Sequence, residues 1–110
     1  MQRNQKICKI IEELSLYLMD NYIYDLNIDI KQYDDRDILT FKFNETNQEV
    51  KEFILSKIKG ERDIEIEEYG WELMGEGASD DDLGIINALV DEIEYDDNDN
   101  KTIIRMIRYE

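Results

Sequence analysis

The stretch at residues 102–109, TIIRMIRY, most constrains what this chain can fold into. A strand this apolar on both faces belongs inside a sheet, with a neighbour on each side. It also closes a longer unit. Ser79 and three aspartates, Asp80, Asp81 and Asp82, precede an apolar helical run that reaches about Asp91. Ser79 suits an N-cap, with Asp82 at the third position of a capping-box-like start. Aspartates in a first turn also suit the positive end of the helix dipole. Residues 92–95 and 102–109 then form a hairpin around the polar turn 96–100.

The rest of the chain supplies the partners of that unit. Ile7, Ile10, Ile11, Leu14, Tyr17 and Leu18 recur at helical spacing, which predicts a helix over residues 4–21. Tyr24, Leu26, Ile28 and Ile30 alternate with polar residues, and so do Leu39, Phe41 and Phe43. The polar turn Asp34-Asp35-Arg36-Asp37 joins them, predicting an antiparallel hairpin. Val50, Phe53, Ile54 and Ile58 predict a short helix ended by Gly60. Ile64 and Ile66 alternate with Asp63, Glu65 and Glu67, predicting a strand with an acidic face. Residues 69–78 read as a loop that tucks Trp71 onto the core. The expected fold is α+β: one domain over residues 1–110, a two-layer sandwich of a mostly antiparallel sheet of four or five strands with about three helices.

Charge restricts the partners. The chain carries a net charge of -15, and 37% of its residues are charged. Residues 61–100 hold 16 acidic side chains and one basic one, Arg62, whereas the remainder is balanced at 12 of each. That segment repels nucleic acid, which excludes a conventional DNA or RNA binder. Its field suits a basic partner, or a mimic that competes with nucleic acid for one; a solvated acidic face is the simpler alternative. There is no histidine, which removes Ser/His and Cys/His catalysis, and the lone Cys8 makes no intrachain disulfide. The N-terminal residues resemble neither a signal peptide nor a membrane span, so a cytoplasmic location is expected.

The order helix, strand, strand, loop, helix, strand, strand resembles the ATP-binding domain of sensor histidine kinases, gyrase-type ATPases and anti-sigma-factor serine kinases, the Bergerat or GHKL fold. The wording is similar to the anti-sigma-factor branch at Leu89-Val90-Asp91-Glu92-Ile93-Glu94-Tyr95 and Ile103-Ile104-Arg105-Met106-Ile107. Ile11-Glu12-Glu13-Leu14 resembles the helix that carries the family's asparagine box. The likeness covers about 80 residues as a pattern, and implies a truncated member of that architecture.

The family's nucleotide motifs are absent. The resemblance puts Glu13 where the family has its catalytic base, but Tyr17 where an asparagine holds Mg²⁺, and a phenol is a poor ligand for a hard cation. The family's Asp-x-Gly-x-Gly is replaced by Glu45-Thr46-Asn47-Gln48-Glu49, without a glycine for close backbone approach. Where the family offers backbone N–H groups to phosphate at a helix start, this chain has Asp80, Asp81 and Asp82. Two unit charges about 5 Å apart at an effective dielectric of about 20 repel by roughly 3 kcal/mol, and a triphosphate meets several such terms. The resemblance therefore implies a domain that has lost its nucleotide, uses no cofactor, and binds a protein, with a transcription regulator as the family's kind of partner. A nucleotide-binding protein that retains Glu13 as base is the alternative.

Other candidate sites are simpler. Asp80, Asp81 and Asp82 diverge by about 100° per residue on a helix, which suits capping better than a shared metal. Residues 97–108 lack the glycine and the terminal glutamate of a calcium loop. Tyr69 and Trp71 are either an interaction anchor with an acidic rim or a plug for the core.

Overall fold

A computed structural model of the chain describes residues 2–44, 48–65, 67, 82–98 and 100–110, with the side chains of Asp82 and Asn98 excepted. Its helices are α1 (Arg3–Asp20), α2 (Gln48–Lys57) and α3 (Asp82–Leu89). Its strands are β1 (Asn27–Gln32), β2 (Arg36–Asn44), β3 (Glu92–Asn98) and β4 (Lys101–Tyr109). The strands form one sheet in the order β1-β2-β4-β3, antiparallel throughout. The apolar β4 is internal, as its composition requires. The α+β class and the two layers follow the sequence expectation. No described helix is long and apolar enough to cross a membrane.

Register explains which side chains reach the core. Leu39, Phe41 and Phe43 of β2 lie opposite Met106, Ile104 and Thr102 of β4, all buried on one face. Ile7, Ile10, Leu14 and Leu18 of α1, Val50 and Ile54 of α2, and Leu83, Ile86 and Leu89 of α3 join the same apolar cluster. Full burial of each such side chain stabilises by roughly 1.5–3 kcal/mol relative to exposure. The opposite sheet face carries Lys42, Arg105, Glu92, Glu94 and Asp96.

The end of α1 is unusual. Ile23 N–H donates to the Leu18 carbonyl at 3.0 Å and Tyr22 N–H to that of Met19 at 3.1 Å, a Schellman closure. The left-handed position, φ 63°, is held by Tyr22 rather than glycine. Leu18 and Ile23, both buried, supply the apolar contact that accompanies this motif. At the other end, Arg3 grips the fully buried Asp37 carboxylate, with Nη2 2.6 Å from Oδ1. That contact ties α1 to the β1–β2 hairpin.

Several boundaries differ from the sequence reading. Tyr24 and Leu26 precede β1, and all six residues of β1 are exposed, because it is an edge strand beyond the helix layer. Arg36 and Asp37 belong to β2, not to the turn, because Asp37 is drawn inward by Arg3. β3 runs on to Asn98, which pairs with Lys101 and shortens the turn to two residues; Asn100 takes φ 65°, as hairpin turns of this kind require. α3 ends at Leu89, before Asp91.

The expected strand around Ile64 is not a strand. Ile64, Glu65 and Glu67 are helical. Glu67 N–H donates to the Asp63 carbonyl at 2.9 Å, and Asp63 Oδ1 accepts from Glu65 N–H at 3.0 Å. Two isoleucines at a spacing of two do not outweigh this local capping. Ile64 is left 66% exposed, while Glu67 turns inward.

Candidate functional site

Glu13, Leu16, Tyr17, Asp20, Asn21, Phe53 and Leu83 line a cleft of about 360 Å³. Helical spacing produces it: Glu13, Tyr17 and Asp20 fall at i, i+4 and i+7 on one face of α1. Tyr17 stacks on Phe53 of α2 with ring centroids 5.2 Å apart and planes 21° from parallel. Burial raises the Tyr17 phenol above its ordinary value. Leu83, at the start of α3, closes the third side. The structure thus brings Glu13, Tyr17 and the start of α3 to one place.

The cleft's chemistry is acidic and apolar. Glu13 is nearly buried, and Lys9 Nζ approaches its Oε1 at 2.7 Å. Asp20 adds a second carboxylate two helical turns away, about 10 Å along the axis. An anionic ligand here meets two carboxylates; Lys9 already sits on Glu13, and Lys57 Nζ lies over the Phe53 ring, 5.6 Å from its centroid. A phosphate is disfavoured by that arrangement, whereas a cationic side chain finds carboxylates and an aromatic wall. Among the described residues, no group of three or more His, Cys, Asp or Glu side chains gathers closely enough to hold a metal ion.

A second cluster lies beneath the surface. Glu67, 1% exposed, receives Lys6 Nζ at 2.8 Å, Arg62 Nε at 2.8 Å and Arg108 Nη2 at 3.0 Å. Burial by itself would raise this carboxyl; the hydrogen bonds from Arg62, Lys6 and Arg108 outweigh it and hold the group down to about 2. Arg108 also donates to the Leu89 carbonyl at 2.5 Å. Arg62 donates to Asp91 Oδ2 at 2.9 Å and to the Tyr109 carbonyl at 2.6 Å. The cluster therefore joins α1, the segment after α2, the end of α3, Asp91 just before β3, and β4.

Sequence reading missed this hub. The signal was present in strand parity: residues 102, 104, 106 and 108 share the buried face of β4, which sends Arg108 inward and demands a buried acid. Lys6 stands on the same side of α1 as Ile10 and Glu13, by the same periodicity.

The acidic segment is accordingly divided. Glu67 and Asp91 are internal links, Asp97 receives Lys51 Nζ at 2.7 Å, and Glu92 accepts from the Tyr109 hydroxyl. Glu92, Glu94 and Asp96 form one row on the open sheet face, every second residue of β3, about 7 Å apart. Glu61 and Glu65 are also exposed. Of the sequence-derived partner residues, Tyr69, Trp71, Asp80 and Asp81 lie outside the described residues; Asp82 opens α3, and its side chain also lies outside them.

No protein-family model matches this chain, and neither does any curated protein or solved structure.

Proposed function

We propose that the chain is a non-catalytic, regulatory protein-binding domain, a truncated histidine-kinase-like ATPase fold that has lost its nucleotide, and that its acidic surface recognises a basic partner. The observation that carries this reading is the position of Arg62. The only cation of residues 61–100 is spent internally on Glu67, Asp91 and the Tyr109 carbonyl. The row Glu92, Glu94 and Asp96, with Glu61 and Glu65, therefore receives no neutralising charge from its own segment, although Arg105 reaches Glu94 at 2.9 Å. Tyr69 and Trp71 belong to the same segment and are the anchor candidates. By resemblance, the partner is a transcription regulator.

The acidic lining of the α1 cleft supports loss of the nucleotide, since Glu13 and Asp20 face the space a phosphate would need. A second reading, nucleotide binding with Glu13 as base, is favoured by the meeting of Glu13, Tyr17 and Leu83 in one cleft. A nucleic-acid mimic needs two regular rows of carboxylates, and β3 supplies one.

Capture of partners from the native cell tests the first reading. Affinity of a captured basic protein should fall steeply between about 50 and 200 mM salt, and should weaken further in the triple variant Glu92→Gln/Glu94→Gln/Asp96→Asn. A salt-independent complex indifferent to these changes contradicts the electrostatic reading.

A further inference from the structure

We propose that the free edge of β1 pairs with β1 of a second copy of this chain, joining two four-stranded sheets into one of eight strands. Among the described residues β1 has β2 as its only neighbour in the sheet, and all six residues of β1 are exposed. The direction of its backbone groups follows from the hairpin. Tyr33 N–H donates to the Arg36 carbonyl at 2.8 Å, so Tyr33 faces β2. Alternation then turns the N–H and C=O groups of Lys31, Asp29 and Asn27 toward β2, and those of Ile28, Ile30 and Gln32 toward the open edge. On the helix side of the sheet, Ile28 and Ile30 remain 38% and 48% exposed. An edge with three free donor–acceptor residues and two uncovered isoleucines is a template for another strand.

Charge selects both the partner and the register. In a continuous antiparallel sheet with a two-fold axis, residues directly opposite must share a face, so the axis passes through a single residue. An axis at Ile30 sets Ile30 against its own copy and Ile28 against Gln32, and these are the residues whose backbone groups point outward. The same register sets Asp29 opposite Lys31 of the second copy twice, at the closer, non-hydrogen-bonded positions. An axis at Asp29 sets aspartate against aspartate, and one at Lys31 sets lysine against lysine. The other edge of the sheet does not match this: self-pairing of β3 about any residue from Glu92 to Asp96 opposes members of the row Glu92, Glu94 and Asp96 to one another, and pairing about Asp97 opposes that aspartate to its own copy. One edge is thus self-complementary and the other self-repelling, which stops growth at a dimer.

Sedimentation of the full chain across a concentration series tests the pairing. A monomer–dimer equilibrium is expected. Lys31→Glu should weaken the dimer about ten-fold or more, and the swap Asp29→Lys/Lys31→Glu should restore it to within about three-fold of the parent. In the unmodified chain, amide exchange at Ile28, Ile30 and Gln32 should slow as concentration rises, while Asp29 and Lys31 stay protected throughout. Monomer at every concentration, growth beyond a dimer, a dimer indifferent to Lys31→Glu, or fast exchange at these three amides in the dimer would overturn the proposal.

Discussion

Arg108 Nη2 lies 3.0 Å from Glu67 Oε1, and each side chain is 1% exposed. The pair is the centre of a network in which the Glu67 carboxylate meets three cations, with Asp91 also on Arg62 and Glu110 3.7 Å from Arg108. Neutralising that carboxylate takes away the charge that Lys6, Arg62 and the buried Arg108 share. Glu67→Gln should therefore destabilise the chain by about 3–5 kcal/mol, the range for breaking a buried ion pair from one side. Urea unfolding measures this. A loss of under about 1 kcal/mol would mean that the cluster is not a structural link.

Stability should also depend on Glu67 as a function of pH. Its carboxyl stands at about 2 in the fold against an ordinary 4.5. A group with a lowered folded value contributes fully above its unfolded value and loses that contribution as pH falls toward the folded one. The window is thus from about 4.5 down to about 2, and the contribution is on the order of 3 kcal/mol. Unfolding free energies measured across that window should fall in the parent chain and fall less steeply in Glu67→Gln.

The left-handed tyrosine after α1 gives a prediction of opposite sign. Tyr22 is 75% exposed and sits at φ 63°, where a side chain costs roughly 1–2 kcal/mol. Glycine removes that cost, offset in part by the greater freedom it gives the unfolded chain. Tyr22→Gly should raise stability by about 0.5–1 kcal/mol, visible as a higher midpoint in urea with an unchanged slope.

Gly60 shows the converse. Its φ is 75°, and a Cβ placed there would lie 2.9 Å from the Asp91 carbonyl oxygen. Conformation and space both oppose a side chain, because the neighbour is backbone that is itself fixed: Asp91 N–H donates to the Ile107 carbonyl at 2.9 Å. Gly60→Ala should cost about 2 kcal/mol or more in the same unfolding measurement.

The parts of this fold that rest on periodicity were legible in the sequence. The apolar stripe of α1, the inward parity of Leu39, Phe41 and Phe43, and the internal place of β4 all follow from spacing. What escaped was set by single polar contacts. Arg3 reaching Asp37 lengthens β2, and Asp63 capping Glu65 turns an alternating segment into a helical one. Charge counting carries no direction, so it places Glu67 on an acidic face; only the parity of Arg108 points to its burial. The cleft is partly legible: a resemblance pairs Glu13 with Tyr17, while Phe53 and Asp20 join them through helix packing, which no short motif encodes.

The proposed loss of nucleotide binding is open to direct measurement. Titration calorimetry of the full chain with ATP and Mg²⁺ tests it most directly. The acidic cleft at Glu13 and Asp20 predicts no heat of binding and no accompanying shift in thermal unfolding. Binding in the micromolar range that is lost in Glu13→Gln would overturn the proposed loss.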